Sequence, residues 1–406
     1  NKLTFKVRGQ PGTEVKLKIK RLGENKILEF HLVREEIKVQ NISLANFVDD
    51  QEGIYYIKLD RFSKRVSEEF FEKIKEAKDS GKLKGVILDL RSNPGGLLQA
   101  AIELLEFFVP KGELILFTKG RSEESKQEFY SRTTPQLGEV PLAILIDENS
   151  ASASEIVAGA IQDLDRGVII GSKSFGKGLV QTVIPLPYDA SLKLTTARYY
   201  TPSGRCIQKT DYLNQIDDVI KTRTDTTKIF FTKNKRKVYG DGGVTPDTII
   251  KHNSKPEIVT ELLNKGMFFK FVSEEILPDK NFKLDAINKQ QLISKFIQYL
   301  NRINFSYEPY YRKSLNELIS QIEKNGNQKK LLNQLKDLNE ATKFDLKEEI
   351  KIHEDIVYSY LVAEIANQIK SSELQMKVLR QYDEDVKVAI SILNNRNLYD
   401  KILAVK

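Results

Sequence analysis

The 406-residue chain holds one cysteine, Cys206, and three histidines. A single thiol excludes a disulfide within the chain and, alone, a cysteine-built metal site; it says little about redox compartment. His31, His252 and His353 stand far apart, with no HExxH or other paired spacing, so no zinc site is expected. No apolar stretch is long enough to cross a bilayer as a helix, and no integral membrane span is expected. No secretory signal stands at the start, and Asn1 is not an initiator methionine, so the chain reads as a mature or trimmed fragment. A block of one charge sign is also missing. The 64 Lys and Arg and 56 Asp and Glu give a net charge of +8, with the signs intermixed. That pattern fits a mostly solvated surface with at most weak attraction to anionic surfaces. No basic block with interleaved aromatics marks a nucleic-acid site. Internal repeats and long low-complexity tracts are absent.

What is present suits packed domains. Hydrophobic residues make up 40% and charged residues 30%, as in soluble chains with a proper core. The length fits two or three domains.

Residues 3–37 alternate in strand fashion: LTFKV, a turn at Gly9–Gly12, then VKLKIKRLG and KILEFHLVREEI. Gly53–Asp60 reads as a strand. Val66–Ser80 reads as a helix, with Phe70, Phe71, Ile74 and Ala77 on one face and Gly81 as its stop. Gly85–Leu90 is a continuous apolar strand of the kind buried on both faces. A helix from Leu97 to Val109, a strand at Glu113–Thr118 and a polar surface excursion over 120–138 follow. Strands at Leu142–Ile146 and Val168–Gly171 flank a helix that opens near Ala153. This alternation predicts an α/β core with a largely parallel sheet. Leu179–Ile184 and Leu192–Tyr200 are further strands, and 209–238 is a polar, threonine-rich loop or inserted hairpin. Beyond Pro256 the composition turns to Lys, Glu, Gln and Asn, with helical spacing in Leu292, Ile293, Phe296, Ile297 and Leu300, and again in Leu361, Ile365 and Ile369. Three domains are therefore expected: 1–40, rich in β-structure; 41–254, the α/β core; and 255–406, all helical.

Three glycine-marked loops stand at the ends of buried strands: Arg91–Gly96, Ser150–Ser154 and Ser172–Gly178. Ligands of α/β sheets bind at such carboxyl ends. The stretch Ser150–Asp163 places Ser152 where a strand turns into a helix, at the helix's positive end. Such a position favours a nucleophilic hydroxyl and the anion its attack creates. Ser152 and Glu155 equally fit a capping box, in which serine only satisfies orphan N–H groups. No suitable histidine accompanies the loops, so a hydrolase here needs lysine as its base. Lys177, between Gly176 and Gly178, qualifies if burial, with Phe175 excluding water, lowers its affinity for the proton. A solvated lysine in a turn is the competing reading, and Asn93–Gly96 is readable as a plain tight turn or as a backbone donor site.

NPGG, SASASEIVAGAIQD, GxxxFGKGxxQ and YYTPSGR, in this order, closely resemble the C-terminal processing peptidases, or tail-specific proteases. The resemblance covers about residues 3–250. The passage RGQPGTEVKLKIKR resembles the last third of a PDZ domain, whose earlier part is absent, so residues 1–40 are expected to be poorly anchored or completed by residues outside this chain. The resemblance implies that Ser152 is the nucleophile, Lys177 the base and Gln181 the group orienting the lysine amine. It also implies that the backbone N–H groups of Gly96 and Ala153 form the oxyanion hole, with no metal and no cofactor. Asp163 matches an acidic position of that family and reads as structural. Asp241 stands where many members have glycine. The helical tail resembles extensions of some bacterial members.

The family implies a serine endopeptidase that cuts proteins near their C-termini through an acyl-enzyme. Its partners would be protein or peptide substrates with accessible tails, and an adaptor or self-association is possible within the family. Its place would be the periplasm or cell envelope. A catalytically silent peptide-binding scaffold on the same fold is the alternative.

Overall fold

The computed structural model describes residues 2–22, 26–37, 40–48, 53–188, 190–209, 228–240, 242–251, 255–278, 288–325, 328–342 and 344–405. Asp241, His252 and residues 210–227 of the polar stretch lie outside the described residues. The chain forms two units, one of residues 39–252 with 383–406, the other of residues 1–38 with 253–382.

The second unit opens with α1 (Lys2–Val7), β1 (Glu14–Lys20) and β2 (Ile27–Val33). The two strands pair antiparallel, with Glu14 opposite Val33. The LTFKV pattern predicts a strand, and the structure makes it a short helix. A strand needs a neighbour for its N–H and C=O groups. Among the described residues none pairs with this segment, and the backbone closes on itself instead, with the Arg8 N–H donating to the Thr4 carbonyl at 3.0 Å.

The α/β unit runs β3 (Ile42–Phe47), β4 (Ile54–Leu59), α2 (Val66–Asp79), β5 (Gly85–Asp89), α3 (Leu98–Leu105) and β6 (Leu114–Lys119). It continues with β7 (Gln127–Tyr130), β8 (Leu142–Ile146), α4 (Ala153–Asp163), β9 (Val168–Gly171), β10 (Leu179–Pro185) and β11 (Ser191–Tyr200). A small hairpin, β12 (Ile229–Phe231) and β13 (Lys237–Tyr239), precedes β14 (Thr248–Ile249). The main sheet has the order β14-β9-β8-β5-β4-β3. It is parallel except at β3, which pairs antiparallel with β4. A second sheet has the order β10-β11-β6-β7, so the polar excursion over 120–138 contains a strand.

Every residue of β5, β8 and β9 is buried, as the continuous apolar runs require of strands covered on both faces. Val86, Leu88, Leu142 and Ile144 join the cluster formed with α2, α3 and α4. In α2, Phe70, Ile74 and Ala77 are buried, while Phe71, one residue round the helix, is 42% exposed.

The helical unit comprises α5 (Glu257–Asn264), α6 (Met267–Phe271), α7 (Lys289–Arg302), α8 (Tyr310–Asn325), α9 (Lys329–Ala341), α10 (Leu346–Ile352), α11 (Glu354–Ile369) and α12 (Ser372–Gln381). Phe268, Phe271, Phe296, Leu361 and Ile365 lie in its core.

The last two helices, α13 (Glu384–Asn394) and α14 (Arg396–Ile402), belong to the α/β unit. The helical domain expected over 255–406 therefore gives up its final segment. The cause lies in the sheet. Ile87, Ala143, Leu145 and Ile170 alternate with the residues of the main cluster and are also fully buried, so their face needs its own cover. α13 packs against β5, β8 and β9, and its Val386, Ala389 and Ile392 are buried. The Tyr399 hydroxyl accepts the Leu142 N–H at 3.0 Å.

Candidate active site

Three loops meet at the carboxyl ends of β5, β8 and β9. The β5 loop is held from within by the buried Asn93. Its Nδ2 donates to the Leu59 carbonyl at 2.8 Å, and its Oδ1 accepts the Gly95 N–H at 2.9 Å. The Asn93 carbonyl in turn accepts from the Ala151 N–H at 3.0 Å and the Ser154 hydroxyl at 2.9 Å. The NPGG turn is thereby fastened to the start of α4. Gly95, at φ +93°, leaves no room for a side chain: a Cβ there would stand 2.6 Å from the Ala151 carbonyl oxygen and 2.8 Å from the Ala153 nitrogen. Gly96, at φ +154°, is pressed onto Phe62, where a Cβ would meet the carbonyl oxygen at 2.0 Å. Among the described residues the N–H groups of Gly96 and Ala153 have no hydrogen-bond partner.

Ser152 precedes α4 with φ +57° and ψ −112°, a strained backbone for a residue with a side chain. Strain of this kind occurs where a hydroxyl must stand clear of a strand-to-helix turn. The Ser152 N–H donates to Glu155 Oε2 at 2.8 Å, the capping contact expected from the sequence.

Glu155 does more than cap. Its side chain is fully buried. Oε2 also accepts the Lys177 N–H at 2.8 Å, while Oε1 accepts the Ser174 hydroxyl at 2.6 Å and the Gly176 N–H at 2.7 Å. Burial pushes its pKa up, against the lowering effect of those donors. One carboxylate thus joins the backbones of Ser152 and Lys177. The sequence signal for this was present in the SxxE spacing but pointed to a cap alone.

The structure places Lys177 itself on the surface. Its side chain is exposed, and Phe175 is 45% exposed. The expected packing of Phe175 over a sheltered lysine is not seen. The loop is pinned through its backbone: Phe175 N–H to the Ser150 carbonyl at 3.0 Å, and Gly178 N–H to Gln208 Oε1 at 2.9 Å. These bonds fix the main chain and leave the lysine side chain outward. Gln181 is exposed on β10, opposite Thr195 at a register irregularity between Val180 and Gln181. The backbones of Ser152, Lys177, Gly96 and Ala153 are therefore gathered, while the Lys177 and Gln181 side chains are exposed. The Ser152 hydroxyl instead lies 3.0 Å from the hydroxyl of Tyr199, a residue of the YYTPSGR motif to which sequence reasoning gave no role.

Two buried ionic clusters support the site. Arg91, at the end of β5, pairs with Asp89 at 2.6 Å, Asp383 at 2.7 Å and Asp385 at 3.0 Å. Lys58 donates to the Arg91 carbonyl, and the Tyr56 hydroxyl donates to Asp89 at 2.6 Å. Burial alone would raise the Asp89 pKa, but the charges of Arg91 and Lys58 hold the carboxyl well below its usual range. At the far end of α4, the buried Asp163 pairs with Arg205 at 2.8 Å and accepts the Ser203 N–H at 3.0 Å, a structural use.

Residues 53–221 match peptidase family S41, and residues 258–393 match the C-terminal helical domain of a probable PDZ-protease. The chain is 44% identical over 211 residues to a carboxy-terminal-processing protease of Bartonella bacilliformis, covering 51% of this chain and 48% of that one. It is 34% identical over 209 residues to a carboxy-terminal processing protease of Bacillus subtilis, covering 52% of this chain and 43% of that one. A solved photosystem II D1 C-terminal processing protease aligns at a TM-score of 0.40 and 23% identity, over 60% of this chain and 57% of that one. The chain spans about half the length of the curated relatives it matches. The strand–helix alternation and the NPGG and SASAS turns agree with that match, and residues 53–221 resemble peptidase family S41.

Proposed function

We propose that the chain is a serine endopeptidase acting near the C-termini of protein substrates. Ser152 is the nucleophile, Lys177 the base and Gln181 the residue that orients the lysine amine. The reading is carried by the backbone of Ser152, held at φ +57° at the start of α4 beside the N–H groups of Ala153 and Gly96, which have no partner among the described residues. In the working state the Lys177 amine reaches the Ser152 hydroxyl and takes its proton, and Oγ attacks the scissile carbonyl. The two N–H groups receive the tetrahedral oxyanion; losing one such donor costs on the order of 3 kcal/mol. The lysine ammonium then protonates the leaving amine; water, deprotonated by Lys177, attacks the acyl-enzyme in turn, and the ammonium returns the proton to Ser152 Oγ as it leaves.

The Glu155 carboxylate supports this reading, because the main chain of Lys177 is already tied to that of Ser152 and only the lysine side chain has to swing. Substrate lies as an added strand. A strand along Thr195–Tyr200 is not free along its whole length, because Arg198–Tyr200 already pairs with β6. Among the described residues β10 is the sheet's outer strand on the side of Lys177, and it is the edge assigned here. Substrates are proteins with accessible tails, and the enzyme works in the cell envelope. No helix among the described residues is long and apolar enough to cross a membrane.

The exposed Lys177 favours, as second reading, a silent peptide-binding scaffold. Cleavage of an unfolded protein with an apolar tail separates the two. Activity lost in both Ser152→Ala and Lys177→Ala supports the peptidase. Near-wild-type cleavage by Lys177→Ala removes lysine as the base, and no cleavage or serine-probe labelling by the unaltered chain leaves the scaffold.

A further inference from the structure

The hydroxyl of Ser152 has a partner that the proposed chemistry does not use. The phenol oxygen of Tyr199 stands 3.0 Å from Ser152 Oγ, and either oxygen can be the donor. Tyr199 is only 5% exposed. Burial raises its pKa, opposed by the smaller effect of the bond to Ser152. The phenol therefore stays protonated near neutral pH and is no base for serine.

The main chain fixes where this phenol sits. The Tyr199 N–H donates to the Gly178 carbonyl at 3.0 Å, and Tyr199 pairs with Thr118 of β6. Tyr199 is thus bonded to the residue that follows Lys177, and the two side chains flank one short piece of backbone. One of them lies on the nucleophile; the other lies in solvent.

A serine hydroxyl has one proton to donate, and its lone pairs both accept hydrogen bonds and carry out attack. If Ser152 donates to Tyr199, its proton is directed away from any incoming amine. If Tyr199 donates to Ser152, the phenol occupies one of the two lone pairs and makes the oxygen a weaker nucleophile. In either sense the bond restrains Ser152, and exchanging it frees the hydroxyl.

We infer that Tyr199 is the resting partner of the nucleophile, a hydroxyl that holds Ser152 Oγ until the Lys177 amine replaces it. The inference rests on the reading of Ser152 as nucleophile. Its consequence is that a phenyl ring at this position leaves Ser152 freer and more reactive.

The test uses the full chain, a fluorophosphonate probe and three proteins: unaltered, Tyr199→Phe, and Ser152→Ala as the blank. Labelling by Tyr199→Phe is expected to be about fivefold faster than by the unaltered chain, the factor that one ordinary neutral hydrogen bond is worth. Equal or slower labelling of a folded Tyr199→Phe overturns the inference. Labelling that is no greater in either protein than in the Ser152→Ala blank removes the nucleophile reading, and this inference with it. Should Tyr199→Phe not fold, 3-fluorotyrosine placed at position 199 reports the contact directly. Its fluorine resonance is expected to move when Ser152 becomes alanine, and an unmoved resonance overturns the inference.

Discussion

Glu155 Oε2 accepts the backbone N–H of Ser152 at 2.8 Å. Because the same oxygen takes the Lys177 N–H at 2.8 Å, the helix that presents the serine and the loop that carries the lysine share one acceptor. Glu155→Gln keeps the shape but replaces one oxygen by a donor, which then confronts groups that themselves donate. The expected result is a loss of about 2–4 kcal/mol of stability, from one or two buried donors left unsatisfied, with peptidase activity falling at least about a hundredfold. Urea unfolding and tail cleavage measure the two effects. A variant as active as the unaltered chain would show that the shared acceptor is dispensable.

Gly96→Ala addresses the other side of the same pocket. A Cβ at Gly96 would lie 2.0 Å from the Phe62 carbonyl oxygen, on a backbone at φ +154°. The turn must move to accept it, and the Gly96 N–H moves with it. Turnover is expected to fall by about 10²–10³, as when one oxyanion donor is lost, with a smaller change in KM. Steady-state kinetics on a peptide substrate checks this split.

Arg91 sits among three carboxylates, two of them on the segment opening α13. Arg91→Met removes the positive charge that Asp89 and Asp385, both buried, share, leaving Asp89 with the weaker pairing to Lys58. Breaking such a buried network costs about 3–5 kcal/mol. The urea midpoint of Arg91→Met should fall accordingly, and a shift of a few tenths of a kcal/mol would mean that the cluster is solvated.

Asp89 gives the pH dependence a sign. Its folded pKa is held below the ordinary value, so the native state favours the ionised carboxyl more than the unfolded chain does. That stability is fully present above the unfolded pKa of about 3.9 and is lost as pH falls below it. The gap in melting temperature between the unaltered chain and Asp89→Asn is therefore widest near neutral pH and narrows below about pH 4. Calorimetry across that range tests it, and a gap that widens on acidification would reverse the assignment.

Much of the α/β unit is legible in the sequence because its constraints are local. Continuous apolar runs at 85–90 and 142–146 announce strands covered on both sides, and NPGG announces a tight turn. What was not legible depends on distant partners. Glu155 reads as a cap, since nothing local tells that the loop 22 residues on also donates to it. Tyr199 reads as one more strand aromatic, because its hydroxyl meets a residue 47 positions away. Asp383 and Asp385 read as ordinary acidic residues at a helix start, and only Arg91, almost three hundred residues earlier, reveals their second use. The exposed Lys177 is one of the two readings its loop allows, because glycine neighbours suggest close packing without saying which way the side chain leaves.

The sheet's second face is closed by helices translated long after its strands. During synthesis, Ile87, Ala143, Leu145 and Ile170 emerge from the ribosome long before α13 and α14, with the whole helical unit translated in between. Until residues 383–406 arrive, the α/β unit has an oily, uncovered side, and the arginine beside its glycine turn has Asp89 but lacks its other two carboxylates. A nascent chain of this design can complete its α/β unit only once residues 383–406 have been translated.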